Sequence, residues 1–159
     1  DGGFWDVLHH TTQPFVASHS DAASECNVCR NLTDDMIRAL ADRGGVMGLN
    51  YCHDFLTESD KPAALSADTS IFMDAGKQTK KISRMEDMVR HIKHIVNIGG
   101  IEVCGLGSDF DGINNPVEFG NASGIQQLYE ALIKSGFSED DADKIFYKNV
   151  LRVYHDVLK

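Results

Sequence analysis

Three polar clusters stand directly after short apolar runs. Ser18-His19-Ser20 follows Phe15-Val16-Ala17, Asn50-Tyr51 follows Val46 to Leu49, and Gly107-Ser108-Asp109-Phe110-Asp111-Gly112 follows Ile101 to Leu106. An imidazole in such a place, His19, suits a divalent metal or a proton relay. The alternative is a histidine hydrogen-bonded inside the core. Asp109 and Asp111 lie in a glycine-rich turn. Carboxylates so placed can bind metal, hold an amine or shuttle a proton. Asp and Gly also favour tight turns for conformational reasons alone. Arg30 precedes Asn31 just before a helix start. Its planar fork can grip a carboxylate with two bonds, or join a surface ion pair.

Other candidates carry weaker signals. His91 and His94 are spaced i, i+3 on a helix flank, His53 lies in a long connection, and His9 and His10 are adjacent. Cys26 and Cys29 form a single CxxC without the second ligand pair of a zinc ribbon. The four cysteines therefore read as reduced, incidental thiols. The string GLGSDFDG follows a strand but opens no helix, so it is not a dinucleotide fingerprint.

The clusters need elements to position them. The run at 15–17 reads as a strand buried on both faces, as do Val46–Tyr51 and Ile101–Leu106. Phe4, Trp5 and Leu8 give an opening helical stripe that closes before Pro14. Thr33 is the N-cap of a helix carrying Met36, Ile37, Leu40 and Ala41, and Gly44-Gly45 ends it. Residues 52 to about 82 show little periodicity and read as a long loop. Ser83 with Glu86 reads as a capping box for a helix through Met88, Ile92 and Ile95, stopped by Gly99-Gly100. Ser123 with Gln126 reads as another before Leu128 and Leu132. Ser138 caps a short helix, and Asn149 is placed as the cap of the last. Strands separated by helices imply a parallel sheet. Functional groups in such folds gather at the carboxyl ends of the strands, where the three clusters stand.

Composition narrows the function classes. The chain has 159 residues, 42% hydrophobic and 25% charged, ordinary for a globular domain. A formal charge of −9 with no strong basic cluster argues against nucleic acid. No apolar run reaches the roughly 20 residues of a membrane span. Reduced cysteines and the lack of an export signal point to the cytoplasm.

The segments PFVASHS at 14–20, RNLTDDMIRALADRGGVMGLNY at 30–51, HIKHI at 91–95, VCGLGSDFDGI at 103–113 and KNVLRV at 148–153 together resemble the membrane (renal) dipeptidases, the M19 metallopeptidases. Their order and spacing agree across essentially the whole chain. The resemblance implies a zinc-dependent hydrolase of dipeptides that uses a water activated by two metal ions. It implies a (β/α)8 TIM-type barrel with its site at the carboxyl face. In that pattern His19 is a metal ligand, Arg30 holds the free carboxylate of the dipeptide, and Asp109 transfers the proton to the leaving amine.

The chain departs from the pattern in one respect. The family's His-x-Asp motif, its bridging Glu and the His of a DVSH-like strand end have no counterpart here. A complete barrel also needs at least roughly 200 residues. The resemblance thus implies that residues 1–159 are the C-terminal half of the barrel domain, about three parallel strands with flanking helices, beginning just downstream of the missing His. Such a chain is expected to lack most zinc ligands and to be inactive alone. It is also expected to form a homo-oligomer or to associate with the missing N-terminal half, because open sheet edges invite pairing. Two alternatives stand beside this reading: a non-catalytic half-barrel that assembles with a partner chain, and a one-metal amidohydrolase-like enzyme. The combined SHS, RN and SDFDG strings disfavour the second. Side-chain preference for the dipeptide depends on loops, including 52–82.

Overall fold

The structure is a computed structural model and describes residues 2–58 and 81–158. In chain order the elements are α1 (Gly2–His10), β1 (Val16–Ala17), α2 (Asp34–Asp42), β2 (Val46–Asn50), α3 (His53–Leu56), α4 (Met85–Gly99), β3 (Cys104–Ser108), α5 (Gln126–Lys134), α6 (Glu139–Asp143) and α7 (Asn149–Val157). Most of the segment read as a long loop falls outside the described residues. Its start forms the single turn α3.

The strands form one parallel sheet in the order β1-β2-β3, with Val16 opposite Val46 and Met47 opposite Cys104. Each crossover therefore returns to the neighbouring position. That sequential order fits a barrel wall, whereas a doubly wound sheet reverses direction at a switch point. Every residue of the central strand β2 is buried. This explains its apolar run, since both faces are covered. On one side, Met36, Ile37 and Leu40 of α2 join Met88, Ile92 and Ile95 of α4 in the core. Among the described residues, no helix is long and apolar enough to cross a membrane.

Helix α2 forms as its sequence predicts. The Thr33 hydroxyl accepts from the Met36 N–H at 3.3 Å, and the chain leaves through Gly44 at φ +72°. The expected Ser83/Glu86 box is not formed. The Ser83 hydroxyl turns inward to donate to the Tyr51 carbonyl, while the Met85 N–H finds the Glu118 carboxylate at 2.7 Å. A bridge between Ser83 and Val117 brings the two segments together. The orphan donor of α4 is thus satisfied from a distant loop.

Other boundaries also differ from the sequence reading: β1 spans only Val16–Ala17 and is half-buried, and β2 stops at Asn50. Asn121, not Ser123, accepts at the start of a 3-10 turn, Ala122–Gly124, that leads into α5. Ile101–Val103 is also a 3-10 turn, so β3 starts at Cys104. Asn149 does not cap a helix. Helical backbone continues from α6 through a π-helical segment, Lys144–Lys148, into α7. The buried Asn149 amide donates to the Ile101 and Cys104 carbonyls, at 2.7 and 2.8 Å. It satisfies carbonyls where the 3-10 turn gives way to the strand. Ser138 does cap α6, in a reciprocal box with Asp141.

Candidate active site

The carboxyl ends of the three strands pack closely. A Cβ on Gly107 would overlap the Ser18 carbonyl oxygen, and one on Gly48 would crowd the same atom. Glycine at both positions lets the chain after β1 lie against β2 and β3. The Ser20 N–H then bonds to the Gly48 carbonyl at 2.8 Å. His19 is carried to this end of the sheet between those two contacts.

The chain turns sharply after β3. Ser108 and Asp109 both adopt positive φ, +34° and +67°. Two successive non-glycine residues there are uncommon and cluster at functional sites. The Asp109 carbonyl accepts from the Gly112 N–H at 2.9 Å and closes the turn. A Cβ on Gly112 would overlap the Asp109 carboxylate. The acid therefore lies over a bare glycine Cα.

Asn50 ends β2 and is fully buried. Its Nδ2 lies 3.1 Å from Asp109 Oδ2, its Oδ1 accepts from the Cys52 N–H at 2.7 Å, and its own N–H donates to Asp21 Oδ1 at 2.9 Å. Asp21 is fully buried, and its Oδ2 has no partner among the described residues. Burial raises the Asp21 carboxyl well above the ordinary carboxylate value, against the opposing pull of the Asn50 N–H.

His19 is half-buried, and its Nδ1 lies 2.7 Å from Ser18 Oγ. In the tautomer whose Nδ1–H donates to that hydroxyl, the Nε2 lone pair is free for a metal. Arg30 is exposed on the connection between β1 and α2. Among the described residues it forms no ion pair. Its guanidinium carbon lies 5.3 Å from the centre of the Phe55 ring. The buried Asn31 beside it donates to the Cys26 and Phe55 carbonyls, each at 2.8 Å, and fastens this loop to α3. Both the Arg30 loop and α3 emerge from carboxyl ends of strands. His19, Asn50 and Asp109 come from adjacent strands, and Arg30 stands on a loop at the same end of the sheet.

Among the described residues, no group of three or more His, Cys, Asp or Glu side chains could hold a metal. A pair of zinc ions does not fit within these residues alone. His19 fits as a single ligand.

His53, His91 and His94 have structural partners. His91 is fully buried. Its Nδ1 accepts from the Ala22 N–H at 3.2 Å, and its Nε2–H donates to the Leu56 carbonyl at 3.0 Å. Burial lowers its pKa to about 4. His94 faces Asp34 at 2.8 Å and Glu25 at 3.3 Å. The His94 bond is the largest cause holding Asp34 below its ordinary value. His53 Nδ1 lies 3.1 Å from the Ile82 carbonyl. All four cysteines are free. Burial pushes Cys26 to about 11 and Cys104 to about 12, which keeps those two thiols protonated.

Sequence reasoning noted Asn50 as a strand-end residue but gave it no role, and it passed over Asp21. The available signal was a carboxamide closing a wholly apolar strand.

A family-wide profile described as membrane dipeptidase (peptidase family M19) matches residues 1–159. A Klebsiella pneumoniae protein, described as uncharacterized and lying in the pqqA 5′ region, is 39% identical over 154 residues. The match covers 97% of this chain and 51% of that protein. Dipeptidase aclJ of Aspergillus oryzae is 30% identical over 152 residues, 95% of this chain and 32% of that one. The chain thus spans about half or less of these relatives. Among solved structures, a dipeptidase described as an M19 metallo peptidase aligns with TM-score 0.78 and 28% identity, over 97% of this chain and 40% of that one. A Rhodobacter sphaeroides metallo peptidase, liganded with a phosphinate mimic of L-Ala-D-Ala, aligns with TM-score 0.76 and 27% identity, over 97% and 39%.

Proposed function

The chain belongs to the membrane dipeptidase family, peptidase family M19, and on that premise we propose that it contributes three strands and part of the site of a zinc-dependent dipeptidase. The observation that carries this reading is the Asp109 carboxylate, set over Gly112 in a turn with two positive-φ residues and held by Asn50 at the end of β2. It stands at the same end of the sheet as His19 and Arg30.

Each residue then has a task its chemistry suits. The Arg30 fork binds the free carboxylate of the dipeptide, with the Phe55 ring behind it. Asp109 manages the proton. The water oxygen bonds to the acyl carbon and the C–N bond breaks. The proton that Asp109 takes from the water passes to the amine nitrogen. His19 offers one imidazole nitrogen to zinc. Zinc, when bound, supplies Lewis acidity for the attack. The further ligands would come from outside the described residues. The 159-residue chain by itself is accordingly inactive, and it assembles with a second copy or with complementary strands.

Hydrolysis of Gly-Leu with added zinc tests the reading. The chain alone gives no measurable turnover. Within a protein of its relatives' full length, turnover is zinc-dependent and is lost in Asp109→Asn. Robust hydrolysis by the chain alone, or by the Asp109→Asn protein, refutes this assignment.

A further inference from the structure

We propose that Asn50 is a positioning residue for Asp109, dictating which of its two carboxylate oxygens carries the proton. The inference rests on reading Asp109 as the proton-transfer group and adds a residue to that reading.

The orientation of Asn50 follows from its neighbours. The Cys52 backbone N–H can only donate, so the atom facing it at 2.7 Å is the carboxamide oxygen. The NH2 end must then point at Asp109 Oδ2, 3.1 Å away. The Asn50 N–H is fixed in turn by the buried Asp21. Side chain and backbone are thus both tied, and full burial leaves no competing water contact. An N–H donor aimed at Oδ2 disfavours a proton there, because the bond is stronger to the ionised oxygen than to a hydroxyl oxygen. Oδ1 accepts no hydrogen bond among the described residues. Proton uptake and delivery therefore belong to Oδ1, above Gly112. The register supports the pairing: Asn50 lies opposite Ser108, and the irregularity at Leu49/Asn50 falls where the two strands end.

Two measurements test this. In amide-resolved NMR spectra of the chain, Asp109→Gly deletes the carboxylate at a φ that glycine adopts freely. It should move the Asn50 side-chain NH2 signals and leave those of the buried Asn31 and Asn149 in place. Unmoved Asn50 signals in a folded variant overturn the proposal. In the zinc-loaded full-length protein, Asn50→Asp keeps the shape and the acceptor for Cys52 but faces Asp109 with an oxygen. The kcat for Gly-Leu should fall about 10–100-fold with KM within about twofold, the range of one hydrogen bond to a charged group. Wild-type kcat in Asn50→Asp overturns the proposal. Absence of turnover in the unsubstituted protein sinks the dipeptidase reading instead, and the NMR result then decides the Asn50–Asp109 pairing by itself.

Discussion

The Arg30 guanidinium lies over the face of the Phe55 ring, 5.3 Å from its centre. Arg30 precedes α2 and Phe55 sits in α3, so the contact joins loops that leave neighbouring strands. The ring limits where an exposed, long side chain can point. A cation on an aromatic face is worth about 0.5–1 kcal/mol at an exposed site.

On the proposed role of Arg30 in holding the dipeptide carboxylate, Phe55→Leu should weaken dipeptide binding more than turnover. In the full-length protein the expected result is a KM for Gly-Leu raised about two- to fivefold, with kcat little changed. Steady-state kinetics check this. A change confined to kcat would show that Phe55 does not orient Arg30.

His91 should make stability depend on acid pH. Its folded pKa, about 4, lies below the ordinary 6.5. Between those values the unfolded chain binds the proton and the folded chain does not. Stability is thus complete above about pH 6.5 and is lost as pH falls towards 4, by up to about 3 kcal/mol. Urea titrations at pH 7 and pH 4.5 should show this fall. His91→Gln, which cannot titrate, should flatten it.

Glu118 takes over the capping of α4 that a Ser83/Glu86 box would have done, and the Ser83 hydroxyl bonds inward instead. Glu118→Ala removes only the acceptor for the Met85 N–H and should cost about 1 kcal/mol. Ser83→Ala removes the hydroxyl that donates to the buried Tyr51 carbonyl and accepts from Asn115 Nδ2 at 2.6 Å, leaving the two joined only by the longer Asn115–Tyr51 bond at 3.3 Å. It should cost more, about 1–3 kcal/mol. Chemical denaturation of the two variants gives the order directly. The reverse order would return Ser83 to an ordinary cap.

Gly107→Ala should be among the most damaging small changes. The added methyl would overlap the Ser18 and Gly48 carbonyl oxygens, which belong to backbone. An expected loss of about 3 kcal/mol or more follows, because backbone must shift to admit it. Thermal unfolding beside Gly2→Ala, where a Cβ meets nothing, provides the comparison.

Light scattering tests the proposed assembly. Among the described residues β1 and β3 each pair on one side only. Uncovered strand edges favour association. The chain is expected to run as a dimer or larger species, and a well-behaved monomer would contradict this.

Local patterns carried much of the fold in the sequence. The apolar runs at Val46–Leu49 and around Cys104, the helix face of Met36, Ile37 and Leu40, and the Thr33 cap involve neighbours within a few residues. Hydrophobic burial and backbone capping act at that range, so residue order alone announced them. The placement of His19, Asn50 and Asp109 at strand ends followed from the same apolar runs, and the motif strings pointed to the family. Interactions between distant segments were not legible. Asn50 meets Asp109 across 59 residues, Met85 is capped by Glu118 across 33, and Asn149 binds Ile101 across 48. A carboxamide or carboxylate has no periodic signature, and its partner is whichever unsatisfied group the packed chain brings within 3 Å or so. Sequence determined which strands form and which residues stand at their ends. Tertiary structure decided which polar groups face one another, because a hydrogen bond depends on position in space and not on separation along the chain.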